Sequence, residues 1–91
     1  MYRGPRHFGG IMFARQRAKM LDALQRSGGM TPQELIELLG VKLQAVRSMR
    51  YQINDVFAAH KSPLRVTTDR ARFYLRGEPS LQRRDVDAKA R

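Results

Sequence analysis

Ten consecutive residues, KLQAVRSMRY from Lys42 to Tyr51, include Lys42, Gln44, Arg47, Ser48, Arg50 and Tyr51 and no carboxylate. Arginine presents a rigid fork of N–H donors that matches two phosphate oxygens or the O6/N7 edge of guanine. Glutamine meets adenine with the same two-point geometry, and Ser or Tyr hydroxyls bond phosphate oxygens. Val46, Met49 and Ile53 recur at three- and four-residue spacing, which puts the polar set on the other side of a single helix. A second basic group, Arg70 and Arg72, follows some twenty residues later. The chemistry these residues suit is recognition of a polyanion with planar hydrogen-bonding edges.

Bond-making chemistry is not expected. His7 and His60 lie far apart in the chain, with no spacing that suggests a metal pair. Glu34 and Glu37 share a helical face without a histidine beside them. The Gly pairs at 9–10 and 28–29 lack the layout of a phosphate loop. The absence of Cys excludes disulfides, thiolate metal sites and thiol nucleophiles, and is compatible with a reducing cytoplasm. Tyr51 is read as a contact residue, not as the nucleophile of a DNA-joining enzyme. No catalytic residue, cofactor or metal is therefore expected.

Charge points the same way. Eighteen Lys and Arg stand against eight Asp and Glu, a net +10 on 91 residues, and fourteen of the cations are Arg. A field of that sign draws polyanionic partners. The stretch from Lys42 to Arg76 carries eight cations and two acids, whereas Glu34 and Glu37 precede it. Ninety-one residues suit one small domain. No apolar run approaches membrane-spanning length, and the basic N-terminus lacks the apolar core of a secretory signal. A soluble cytoplasmic protein without membrane association is expected.

The elements that position these side chains follow from periodicity and punctuation. Residues 1–10, broken by Gly4-Pro5 and Gly9-Gly10, read as a flexible basic arm. A first helix is expected from Ile11 or Met12 to Ser27, with Ala14, Ala18, Leu21 and Leu24 as its apolar stripe and Gly28-Gly29 as its stop. Met30 is expected to pack back as a hydrophobic staple. Thr31, Pro32 and Glu34 form the start signal of a second helix, Thr31 capping and Glu34 reaching back to its backbone N–H. Leu35, Ile36, Leu38 and Leu39 give the apolar face, and Gly40 ends it. The third helix is expected from about Lys42 to Ala59, with His60 and Lys61 at its C-terminal end. After Ser62-Pro63 the period changes to two: Leu64, Val66, Phe73 and Leu75 alternate with polar residues, predicting a hairpin joined through Thr68–Ala71. GEPSLQRRDVDAKAR, residues 77–91, reads as a disordered charged tail.

The stretch Thr31–Tyr51 resembles the helix-turn-helix of bacterial and phage DNA-binding regulators. Apolar residues occupy the pattern's positions at Leu35, Leu39, Val41, Val46 and Met49, with Gly40 at the turn. One departure is Ile36, where the pattern usually has a small residue because two helices cross there. With a supporting helix before it and a hairpin after it, Phe13–Arg76 resembles a winged helix. That resemblance implies a mainly α fold with a small β-hairpin, a domain over residues 11–76, and transcription regulation through double-stranded DNA. Lys42, Gln44, Arg47, Ser48, Arg50 and Tyr51 would face the major groove, with Arg70 and Arg72 on the flanking backbone. A homodimer on paired half-sites stays open, as does docking on a transcription or replication protein. Charge-driven binding to any nucleic acid, double-stranded RNA included, is the third alternative.

Overall fold

Three helices and two antiparallel hairpins make up residues 2–77, the residues that the computed structural model describes. Met1 and residues 78–91, hence nearly all of the expected tail, lie outside them. In chain order the elements are β1 (His7–Phe8), β2 (Ile11–Met12), α1 (Arg15–Ser27), α2 (Pro32–Leu39), α3 (Leu43–Ala59), β3 (Arg65–Asp69) and β4 (Arg72–Arg76).

The N-terminal expectation is corrected. Residues 2–10 do not simply form an irregular arm, and no helix starts at Ile11. Gly9 and Gly10 adopt φ of 61° and 78°, a two-residue reversal that pairs Phe8 with Ile11 and His7 with Met12. A turn with positive φ at both central residues matches the twist of the flanking strands, and glycine takes that conformation without strain. The ladder continues as the Phe13 N–H donates to the Arg6 carbonyl at 2.8 Å. Phe8, Ile11 and Phe13 are buried, and the Phe13 ring meets Phe57 of α3 edge-on at 5.2 Å. Helix α1 accordingly begins at Arg15, after Ala14 in extended conformation. A Gly-Gly pair between two apolar residues was the available hairpin signal.

Helices α2 and α3 form as expected. Thr31 and Glu34 complete the reciprocal capping box, Pro32 opens α2, and Gly40 closes it in the left-handed region at φ 67°. That bond from the Thr31 backbone N–H holds the Glu34 carboxyl below its usual range, with lesser contributions from the Thr31 hydroxyl and Arg72. Leu35 and Leu39 of α2 are buried with Ala18, Leu21 and Leu24 of α1 and Val46, Met49 and Ile53 of α3. Ile36 is half-buried at the rim of this core, so the larger side chain is accommodated beside the crossing. Helix α3 ends with Lys61 in the left-handed region, its N–H bonded to Ala58 and that of Ser62 to the Phe57 carbonyl. This six-residue closure is a Schellman stop with lysine where glycine is usual.

Met30 is partly buried against the core, and it exchanges both backbone hydrogen bonds with Phe73, at 3.0 and 2.7 Å, which fastens β4 to the α1–α2 junction. On the other side, the Asn54 side chain of α3 pairs with both backbone groups of Val66, at 2.9 and 2.7 Å. The hairpin is therefore pinned at one residue on each edge, Phe73 on β4 and Val66 on β3.

The connection at the hairpin tip is shorter than the four residues expected. Thr68 and Asp69 belong to β3, and only Arg70 and Ala71 turn the chain, at φ 51° and 65°. Left-handed φ costs an L-residue roughly 1–2 kcal/mol, which glycine avoids. Ala71→Gly is expected to raise stability by about 0.5–1 kcal/mol, a gain of a few degrees in Tm for a domain of this size. Thermal unfolding that showed a loss would contradict the turn geometry.

Candidate nucleic-acid interface

Burial of Val46, Met49, Ile53 and Phe57 leaves the opposite side of α3 in solvent. Gln44, Arg47, Ser48 and Tyr51 lie there, all exposed, with Lys42 exposed at the N-cap. Spacings of three, four and seven residues put Gln44, Arg47, Ser48 and Tyr51 on one stripe. Lys42 offers no side-chain cap, and its carbonyl accepts from Ala45 and Val46, so the Leu43 and Gln44 N–H groups sit at the open positive end of the helix. Asp55, one turn beyond Tyr51, is exposed and ends the uncharged-or-basic part of the stripe. A polyanion is thus favoured on the N-terminal half of α3.

Leu43 is also exposed, at 37%, an apolar contact at the edge of the same surface.

Arg50 differs from the other residues expected on this face. It is half-buried on the flank of α3 that meets the hairpin, where its Nε donates to the Val66 carbonyl at 3.2 Å. Its guanidinium also stands 5.1 Å from the Tyr51 ring centre. Arg50 therefore ties α3 to β3 and braces Tyr51, and periodicity alone does not separate that role from an outward one.

On the hairpin, Arg70 is exposed at the tip in its left-handed conformation. Arg72, also exposed, faces Glu34 at 3.8 Å, a pairing across solvent-facing side chains that contributes little. Its charge is partly offset by that carboxylate, which leaves Arg70 as the less encumbered cation of the two.

Two supporting contacts were not legible in the sequence. Arg17 of α1 donates to the Gln52 side chain of α3 at 2.7 Å, which adds a cation to the far flank of the stripe. Gln16 donates to the Leu39 carbonyl at 2.7 Å and satisfies the end of α2 just before its turn. Both join residues more than twenty positions apart, beyond the reach of local pattern.

Among the described residues no three His, Asp or Glu side chains stand together as a metal-binding group, and no helix is long and apolar enough to cross a membrane. The chain folds as a small α+β domain of three helices with antiparallel hairpins, and it carries a polar, basic helix face and a basic hairpin tip. Comparison with known protein families, curated proteins and solved structures finds no match.

Proposed function

We propose that this is a non-enzymatic, sequence-specific double-stranded DNA-binding protein of the winged helix-turn-helix kind, a small transcriptional regulator. The observation that carries the reading is the exposed stripe Gln44, Arg47, Ser48 and Tyr51 on a helix whose other side is buried. Such a helix is held rigidly by its neighbours and offers base-reading groups at the width of a major groove. The Met30–Phe73 bridge supports the winged-helix part, because it pairs the hairpin with the segment between the first two helices.

In this arrangement Arg47 reads a guanine edge and Gln44 an adenine edge. Leu43 meets a thymine methyl, while Lys42, Ser48 and Tyr51 position the phosphate backbone. Arg70, and Arg72 when released from Glu34, hold the flanking backbone. Arg50 acts from behind by fixing Tyr51.

Two measurements test this. Selection from a random duplex pool is expected to enrich one motif, and its symmetry reports whether one or two copies bind. With about four to six phosphate contacts, log affinity is expected to fall against log salt with a slope of roughly −4 to −5. A flat salt response with no enriched motif would sink the reading. A steep slope with no enriched motif would leave only charge-driven nucleic-acid binding.

A further inference from the structure

The open end of the β3–β4 hairpin sets two like charges directly against each other: Arg65 and Arg76 are register partners across the ladder. Like charges at directly opposed positions destabilise a strand pair, so the arrangement calls for a counter-charge. Among the described residues neither side chain makes an ion pair; the pairs present are Arg26–Asp22 and Arg72–Glu34. The alternation that buries Val66 and Phe73 turns Arg65, Thr67, Tyr74 and Arg76 to the outer face of the hairpin. Helix α3 reaches Val66 through Arg50 and Asn54 from the strand edge, so this face is a surface other than the α3 stripe.

Both guanidinium groups are braced in place. Arg65 Nη1 donates to the Ser62 and Leu64 carbonyls at 2.7 and 2.6 Å. That leaves its Nε–Nη2 edge, which suits two oxygens of one anion. The Arg76 guanidinium lies 4.2 Å over the Tyr74 ring, and that ring occupies the space a side chain at Gly29 would need. The Thr67 hydroxyl, in the adjacent register pair, is buried without a hydrogen-bond partner.

We propose that Arg65 and Arg76 form a phosphate-binding fork for a nucleic-acid backbone, each guanidinium meeting a separate phosphate along the hairpin's outer face, apart from the groove-reading helix. The fork rests on the DNA-binding reading only for the source of its phosphate. That source is either the duplex already held by α3, beyond the groove it fills, or a second duplex.

The test uses the full chain and the R76Q variant, with inorganic phosphate as the first probe. At constant ionic strength, phosphate is expected to raise the Tm of the unaltered protein by a few degrees and that of R76Q by less than half as much. The duplex arm compares salt slopes, where R76Q is expected to lose about one from the magnitude of the slope. A flanking phosphate shows this loss only on duplexes longer than the α3 site. A second duplex instead shows two-duplex complexes with the unaltered protein and not with R76Q. Equal phosphate stabilisation of both proteins overturns the fork, whatever the DNA affinity. Absence of any duplex binding, with the phosphate difference intact, overturns the DNA reading and leaves an oxyanion fork.

Discussion

Arg47→Ala is expected to flatten sequence preference, lowering affinity for the best duplex by about five- to a hundred-and-fifty-fold while leaving nonspecific affinity nearly intact. The size follows from losing one bidentate guanidinium–guanine contact, worth roughly 1–3 kcal/mol of discrimination. Arg47 is exposed and no hydrogen bond or ion pair of the described structure depends on it, so the substitution leaves the fold in place. Arg70→Ala supplies the contrast. At the hairpin tip it would meet backbone alone, and its loss is expected to weaken all duplexes about equally and to reduce the salt slope by about one. Binding curves on the selected duplex and a scrambled one, each at two salt concentrations, measure all four quantities. If Arg47→Ala and Arg70→Ala lowered affinity alike on both duplexes, α3 would be a cationic surface with no reading function.

The largest effect on stability is expected at Phe57. Its side chain is wholly buried, and its ring meets Phe13, which in turn stands 6.3 Å from Phe8. Phe57 is thus one contact through which the three-helix core holds the β1–β2 hairpin. Phe57→Ala is expected to cost about 3–5 kcal/mol, from lost transfer energy and an unfilled cavity. For a domain whose total stability is of order 5–15 kcal/mol, that is a large fraction. Urea unfolding would show a lower midpoint with the slope unchanged. Hydrogen exchange adds a local readout: the Phe13 amide, bonded to the Arg6 carbonyl, is expected to lose protection before the amides of α1 do. A cost below about 1 kcal/mol would mean that this aromatic junction does not join the two parts.

Much of the fold is written locally. The capping box at Thr31 and Glu34, the Gly40 stop and the apolar spacing of α2 and α3 each involve residues three or four apart. Such signals are readable wherever they occur. The β3–β4 hairpin is equally visible, through the change of period after Pro63. The N-terminal hairpin was obscured by its brevity, because two two-residue strands offer no periodicity to count. Gly9-Gly10 reads as a break until Phe8 and Ile11 are seen to be buried on either side of it. The tip was obscured for the opposite reason: Arg70 and Ala71 are residues that such a turn rarely uses, so composition pointed to a longer loop.

The candidate site divides along the same line. By itself the sequence determined a basic chain, a buried stripe on α3 and therefore the polar stripe opposite, because helical geometry forces one from the other. Which of those polar residues are free was decided only by tertiary packing. Arg50 lies one residue from Tyr51 in the chain, yet the strand that crosses beside α3 claims its guanidinium through the Val66 carbonyl. Arg72 is drawn to Glu34 by tertiary packing, and Arg65 is set against Arg76 by strand register. Local patterns fix which way a side chain leaves its own helix or strand; what waits there depends on how distant segments pack, which no local period encodes.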